Sequence, residues 1–136
     1  MRLMNFTDFG LRALMLLSVA PNRARTSEDL AGSLGVSRHH LVKVLQHLAA
    51  ADYVRTVRGA GGGVRLARPA AAIRLGAVVA HLERDQPLVE CFRADGGACP
   101  LTPACRLRGA LIRARAAFLD SLNGETLADC TLPGAF

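Results

Sequence analysis

Apolar positions at the N-terminal end of the chain recur at helical spacing. Residues 7–20 carry enough apolar side chains for a mostly buried helix. Thr7 can cap the start of this helix, and Pro21 can end it. The helix is also amphipathic, because Asp8 and Arg12 interrupt its apolar run. The pattern therefore predicts a core helix rather than a secretion signal.

Two shorter helices follow, separated by a tight turn. Thr26 with Asp29 three residues later resembles a capping box, and Gly35 suits a left-handed C-cap. Ser37 can cap the second helix. The apolar face of that helix consists of Leu41, Val44, Leu45 and Leu48. Two helices in this order are typical of a helix-turn-helix, whose second helix enters the DNA major groove.

The first residues of the second helix are the candidates for contact with DNA. They are Ser37, Arg38, His39, His40 and Lys43. Arg38 can donate two hydrogen bonds to guanine, and either histidine can donate or accept at a base edge. Ser37 and Lys43 are better suited to phosphate oxygens. Each histidine is equally compatible with a solvent-exposed or structural role.

An alternating pattern after this helix predicts a β-hairpin. Residues 53–58 and 64–66 alternate as strands around a glycine-rich turn. Glycine permits positive φ angles and close approach of the backbone to phosphate, so the pattern predicts that this hairpin is a DNA-binding wing. The wing candidates are Arg58, Gly61, Gly62, Gly63 and Arg65, with further charge from Arg55 and Arg68. A nucleotide-binding loop is the alternative, but this turn lacks the Lys-Ser/Thr ending and opens no helix.

Two more helices are predicted in the second half of the chain. Residues 73–82 fit a short helix that packs on the winged domain. A longer amphipathic helix follows Cys105 and closes at Asn123 and Gly124. Its apolar stripe consists of Leu107, Leu111, Ala114, Phe118 and Leu122. Pairing with the same helix of a second subunit would cover this stripe and give a homodimer. Its two recognition helices would then lie about 34 Å apart, one turn of DNA. Burial of the stripe within one chain is the alternative.

Composition and charge narrow the possible functions. The chain has 136 residues, enough for one compact domain with an appended element. Its net charge is +6, and residues 1–68 hold ten Lys/Arg against four Asp/Glu, whereas residues 69–136 hold seven of each. This asymmetry favours a nucleic-acid reader, although a solvated basic face would look alike. No apolar run reaches the roughly 18 residues of a membrane span, and no grouping of nucleophile and base suggests an enzyme.

Three cysteines lie together in a stretch rich in Gly and Pro. Cys91, Cys99 and Cys105 are close enough in sequence to bind one soft metal centre. A fourth ligand would have to come from elsewhere, which leaves one weaker or open coordination position. Disulfides are the alternative, but in the cytoplasm, where we expect the protein to reside, thiols stay reduced. Cys130 lies outside this triad and is expected to be a free thiol.

Several segments carry a resemblance to a known family. They are the opening M-R-L-x-x-F-T-D-F-G-L-R-A-L, the helix V-S-R-H-H-L-V-K, the wing V-R-G-A-G-G-G-V-R-L-A-R-P and the later C-P-L-T-P-A-C-R-L-R-G-A-L with T-L-A-D. Together they resemble the NsrR-type repressors, nitric-oxide-sensing members of a winged-helix iron–sulfur regulator family. IscR-like and RirA-like regulators share the wing and the cysteines. An IscR-like protein is expected to carry histidine where this chain has Arg108.

The resemblance implies a cofactor and a mode of action. It implies a 4Fe–4S cluster, with 2Fe–2S as the alternative, held by Cys91, Cys99, Cys105 and Asp8 of the other subunit. Asp8 is equally compatible with a helix-dipole role or an ion pair with Arg12. The implied function is a repressor that leaves a palindromic operator when nitric oxide nitrosylates the cluster. A regulator of the same fold that responds to iron or cluster status is the alternative. A DNA-binding protein with a structural zinc is a further alternative, which metal analysis would decide. The missing fourth cysteine and the basic half argue against an electron carrier.

These expectations combine into one architecture. The fold is predicted to be mainly α with a small β-hairpin wing. Residues 1–85 would form the winged helix-turn-helix domain, residues 86–106 the cluster-binding loop, and residues 107–136 the dimerisation helix and tail.

Overall fold

The computed structural model describes residues 2–132. In order along the chain, the main elements are α1 (Asn5–Val19), α2 (Ser27–Leu34), α3 (Arg38–Ala50), β1 (Val54–Val57), β2 (Gly63–Leu66), α4 (Leu75–Leu82) and α5 (Arg106–Asn123). Short 3₁₀ turns lie at Ala70–Ala72, Glu90–Phe92, Thr102–Ala104 and Ala128–Cys130. The predicted mainly α fold with a small antiparallel wing is confirmed. No helix in the described part of the chain is both long and apolar enough to cross a membrane.

Helix α1 forms the centre of the hydrophobic core. It contacts α2, α3, α4 and strand β2. Leu14 and Leu17 of α1 are almost completely buried, as the predicted apolar run requires. They pack in one cluster with Leu30 of α2, Leu41, Val44 and Leu48 of α3, Ile73, Val78 of α4 and Leu127. Helices α1 to α4 therefore share one core, and they hold the outer face of α3 in a defined position.

The start of α1 differs from the sequence-based prediction. The helix begins at Asn5, and Thr7 is buried inside its first turn rather than acting as the N-cap. The Thr7 hydroxyl donates to Glu83 Oε1 at 2.5 Å, and the backbone N–H of Met4 donates to the same oxygen at 3.0 Å. The prediction that Thr7 caps α1 is therefore wrong, because a carboxylate from the end of α4 satisfies this helix start instead.

The ends of α2 agree with the prediction. Thr26 Oγ1 accepts a hydrogen bond from the backbone N–H of Asp29 at 3.0 Å. Gly35 adopts the left-handed conformation at φ +64° and ends the helix. Ser37 occupies the N-cap position of α3. The predicted caps of α2 are therefore confirmed, whereas the prediction that the Ser37 side chain caps α3 is wrong, because that side chain makes no cap hydrogen bond in the described residues.

The wing is anchored to the chain just before α2. Strands β1 and β2 pair from Val54 opposite Leu66 to Val57 opposite Gly63. Arg25 and Val64 exchange two backbone hydrogen bonds of 2.9 and 2.8 Å, which form an isolated antiparallel bridge at the edge of the two-stranded wing. Gly63 has φ +144°, and a Cβ at this position would collide with the backbone carbonyl of Arg25. The wing is thereby held against the helix-turn-helix.

Helix α5 touches the rest of the chain mainly through α4. The side chain of Asn123 accepts a hydrogen bond from the backbone N–H of Ala77 at 2.9 Å and so caps the start of α4. Gly76 allows this approach, because a Cβ there would collide with the carbonyl of Leu119. The helix ends at Asn123 with Gly124 as the C-cap residue, as predicted, and Gly124 has a right-handed conformation at φ −63°.

Candidate nucleic-acid interface and cysteine loop

One face of α3 is buried and the opposite face is open. The predicted contact residues Ser37, Arg38, His39, His40 and Lys43 are all exposed. The predicted apolar face is buried in the core, which fixes the rotation of the helix about its axis. The Ser37 hydroxyl makes no cap hydrogen bond within residues 2–132, so it can reach an external acceptor. The arrangement suits a helix that enters the major groove by its N-terminal end.

A serine from α2 accepts a hydrogen bond from one of these side chains, Arg38. Arg38 Nε donates to Ser27 Oγ at 3.3 Å, which links the first turn of α3 to the first turn of α2. Arg25 Nη2 similarly donates to Ser33 Oγ at 2.7 Å. Sequence reasoning did not identify Ser27, because its position opposite Arg38 depends on the angle between the two helices. Ser27 restrains the direction of the Arg38 guanidinium.

The wing concentrates positive charge on one face. Arg55 lies directly opposite Arg65 in the strand register. Like charges at such a position repel each other, and an anion between them relieves the repulsion. Arg65 Nε is buried and has no hydrogen-bond partner in the described residues. Arg58 is exposed at the end of β1. These arginines suit a phosphate backbone.

The predicted wing glycines serve the turn itself. Gly61 has φ +72°, which side chains rarely adopt, and a Cβ on Gly62 would approach the Val57 carbonyl oxygen to 2.5 Å. Arg68 does not join the phosphate-facing arginines. Its guanidinium lies 4.8 Å from the ring centroid of Tyr53 and donates to the carbonyls of Asp52 and Ala51 at 2.9 and 2.8 Å. Arg68 therefore stabilises the junction between α3 and β1 rather than adding charge at the tip.

The three candidate metal ligands lie on one irregular segment between α4 and α5. Cys91 belongs to a 3₁₀ turn, Cys99 follows it, and Cys105 is the N-cap residue of α5. All three are free thiols and half-buried, as is Cys130. Across residues 2–132, no three His, Cys, Asp or Glu side chains converge into a group that could hold a metal ion. The structure thus places the cysteines on the same loop without bringing them together.

Short-range contacts give this loop its shape. Arg93 Nη2 donates to Asp95 Oδ2 at 2.7 Å, and the backbone N–H of Gly97 donates to Asp95 Oδ1 at 3.0 Å. These hydrogen bonds, Arg93 first, lower the pKa of the Asp95 carboxyl. The hydrogen bond to Asp95, followed by the negative charge of Glu90, raises the pKa of Arg93. The loop has no α-helix or strand of its own, so its cysteines are separated by turns alone.

The types of donor side chain in this region, though not their present arrangement, are those that an iron–sulfur cluster requires. Free thiols are the ligands that such clusters require, and a carboxylate can complete the set. Asp8, the expected fourth ligand, forms an ion pair with Arg12 in this chain, at 2.8 Å between Oδ2 and Nη2. Both side chains are about half exposed, so the pair contributes only about 0–1 kcal/mol to stability. Asp8 can therefore leave Arg12 for another partner at little cost.

The chain resembles known proteins over nearly its whole length. The sequence profile of the Rrf2 family, described as an iron-dependent transcriptional regulator, matches residues 3–131. The chain is 45% identical over 130 residues to the HTH-type transcriptional regulator NsrR of Geobacillus kaustophilus (strain HTA426), covering 95% of this chain and 88% of that protein.

Solved structures share the fold. The global cysteine regulator CymR (YrzC) of B. subtilis superposes with a TM-score of 0.73 at 25% identity, covering 96% of this chain and 95% of CymR. IscR of T. potens superposes with a TM-score of 0.73 at 22% identity, covering 96% of this chain and 85% of that one. The winged helix, its exposed reading face and these matches assign a DNA-binding regulator of transcription rather than an enzyme. The chain belongs to the Rrf2 family of transcriptional regulators.

Proposed function

We propose that this regulator is an iron–sulfur-cluster-dependent repressor that senses nitric oxide and releases a palindromic operator when its cluster is nitrosylated. The observation that carries the proposal is the placement of three free, half-buried cysteines on one loop directly before α5. The identity to an NsrR over nearly the whole chain supports the signal. The reducing cytoplasm is the compartment in which these thiols stay available.

DNA recognition is assigned to residues 1–85. Arg38, supported by Ser27, reads a base edge, and His39 or His40 reads a second one. Ser37 and Lys43 contact phosphates. The wing contributes Arg58, Arg65 and the backbone of Gly61, Gly62 and Gly63. The repulsion between Arg55 and Arg65 falls when a phosphate lies between them.

Dimerisation is assigned to α5 and the tail, within residues 107–136, of which residues 133–136 lie outside the described part of the chain. No residue of α5 is buried in the described chain, and Leu107 and Ile112 expose 64% and 45% of their surface. An amphipathic helix with this much exposed apolar surface gains from pairing. Two-fold pairing with the same helix of a second subunit covers it and spaces two α3 helices to read a palindrome.

Residues 86–106 are assigned to cofactor binding. Cys91, Cys99 and Cys105 would hold a 4Fe–4S cluster, or a 2Fe–2S cluster, with Asp8 of the partner subunit as the fourth ligand. When bound, the cluster supplies iron that reacts with nitric oxide. The chain then couples this reaction to DNA through its own residues. Cys105 caps α5, so the thiol ligands bear directly on the helix that joins the two subunits.

Asp8 would couple the cluster to the position of the winged domain. It lies in the first turn of α1, the central core helix, so a tie from Asp8 to the other subunit sets the position of the winged domain. A released Asp8 pairs with Arg12, as in this structure. The winged domains then lose their fixed spacing. Weakening operator binding about a thousandfold needs roughly 4 kcal/mol of difference between the two states.

A second candidate is a regulator that responds to iron or cluster status. The description of the matching family as iron-dependent favours it. Both candidates use the same loop and the same reading surface. They differ in the effective signal, which is nitric oxide in one and iron limitation in the other.

Band-shift assays on anaerobically purified protein test the proposal. Cluster-loaded protein should bind operator DNA, and nitric oxide should abolish that binding, whereas chelation of free iron in the buffer should not. Cys99→Ala protein serves as the control that cannot complete the site. Equal binding by loaded, nitrosylated and cluster-free protein would remove the sensing function. Zinc without iron or acid-labile sulfide would instead assign a structural metal.

A further inference from the structure

A groove of about 500 Å³ lies between the cysteine loop and α5. The loop side contributes Cys91 and Phe92, and the helix side contributes Arg108, Ile112 and Arg115. Arg93 also lines the loop side, so the groove combines a candidate metal ligand with three arginines. Nothing in the proposed function yet uses these charges.

Arg108 has an unusual environment for an arginine. Its guanidinium carbon lies 5.9 Å from the ring centroid of Phe92, which holds the side chain against the loop. Its Nε is buried and has no hydrogen-bond partner among residues 2–132. A buried N–H on a charged group is unfavourable without an acceptor, and it becomes favourable when an acceptor enters the groove. The position of Arg108 thus favours an anionic acceptor beside Cys91.

The charges around the groove also favour an anionic group beside Cys91. Arg93 is engaged by Asp95 and Glu90. Within the described residues, neither Arg108 nor Arg115 has a carboxylate within ion-pair distance. The groove is therefore electropositive where Cys91 lines it. Thiolates that bind a metal centre carry negative charge and accept hydrogen bonds, so they complement this environment.

We infer that Arg108 is a positioning residue of the cofactor site: it donates Nε–H to a sulfur at Cys91 and offsets the negative charge of the bound centre. This inference rests on the proposed iron–sulfur function. Arginine remains protonated at all relevant pH values, so it acts through hydrogen bonding and charge and not as a ligand. Phe92, whose ring centroid lies 5.9 Å from the Arg108 guanidinium carbon, would hold that guanidinium over the loop when a metal centre is bound.

The test compares three variants after anaerobic purification with cluster reconstitution. Arg108→Ala removes both charge and hydrogen bond, and Arg108→Lys retains the charge alone. Arg23→Ala, in the exposed turn between α1 and α2, removes a charge away from both the loop and α5. Iron and acid-labile sulfide are measured per chain, and cluster loss to excess EDTA is followed by visible absorbance. Circular dichroism checks that each variant is folded.

Outer hydrogen-bond partners of metal ligands change metal affinity about 10- to 100-fold. Arg108→Ala should therefore lose its cluster at least about tenfold faster than wild type, with Arg108→Lys intermediate and Arg23→Ala unchanged. Wild-type retention in both Arg108 variants, with a loaded wild-type protein, would overturn the role of Arg108 alone. A wild-type protein that takes up neither iron nor sulfide would overturn the proposed function itself.

Discussion

The hydroxyl of Thr7 donates to the carboxylate of Glu83 at 2.5 Å, across 76 positions of sequence. Because Glu83 follows α4 and also accepts the Met4 N–H, it joins the start of α1 to the point where the cysteine loop leaves the core. Asp8 lies one residue beyond Thr7. The Thr7–Glu83 contact therefore orients the candidate fourth ligand relative to the fold of its own chain.

Removal of the Glu83 carboxylate should destabilise the protein. Glu83→Ala leaves the buried Thr7 hydroxyl and the Met4 N–H without their acceptor, at a cost of about 1–3 kcal/mol. Glu83→Gln keeps an acceptor oxygen and should cost less. Urea unfolding measures both, with the exposed Glu125→Ala as control. Equal stability of Glu83→Ala and the control would show that the contact contributes nothing.

Two glycines in helices should respond to alanine in opposite ways. In Gly76→Ala the new Cβ collides with the Leu119 carbonyl, so α4 and α5 must separate, at about 1–3 kcal/mol. In Gly109→Ala the nearest atom is the flexible end of Arg113 at 3.5 Å, so higher helix propensity should stabilise α5 by up to about 1 kcal/mol. Thermal unfolding distinguishes them. A stabilising Gly76→Ala would contradict the close packing of α4 on α5.

Ser27 should affect operator selectivity through Arg38. Arg38→Ala should cost about 1–3 kcal/mol of specific binding and relax the preference at one base position. Ser27→Ala should relax the same position less strongly, because it frees Arg38 without removing it. Ser33→Ala, which frees Arg25 instead, is the matched control. Binding to a set of single-base operator variants measures the effect; a uniform loss across all variants would assign Arg38 to phosphate contact.

Arg65 should have opposite effects on the free protein and on DNA binding. Arg65→Ala removes the repulsion from Arg55, so the wing without DNA should be as stable or more stable. The affinity for operator and random DNA should fall alike, and the salt dependence should decrease by about one unit of log–log slope. Arg84→Ala, distant from the wing in sequence and paired with Asp85, should leave the slope unchanged. An unchanged slope in Arg65→Ala would exclude phosphate contact by this residue.

Replacement of Asp8 should change cofactor binding more than it changes the free energy of unfolding. Its exposed pair with Arg12 contributes about 0–1 kcal/mol, so Asp8→Ala and Arg12→Ala should both unfold close to wild type without cofactor. After anaerobic reconstitution, Asp8→Ala should change the visible spectrum and Arg12→Ala should retain it. An unchanged spectrum in Asp8→Ala would assign the fourth ligand to another residue.

Local signals were sufficient for most of the helices and for the wing. Thr26 and Gly35 sit at the two ends of α2 as predicted, because capping depends on backbone groups only a few residues away. The glycine-rich turn at residues 59–63 forms the hairpin for the same reason. The apolar face of α3 followed from its spacing.

Contacts between distant parts of the chain required the folded structure. Thr7 looks like a helix cap in sequence, yet it is buried under Glu83, and Arg68 turns to Tyr53 instead of the wing tip. Asn123 ends α5 as its position in the sequence suggested, but its side chain also caps α4, which the sequence did not show. Such partners are chosen by how helices pack, because a side chain bonds whichever group packing brings near. Periodicity and composition were enough for the elements, the basic half and the thiol-rich loop, whereas packing alone selected which side chains support them.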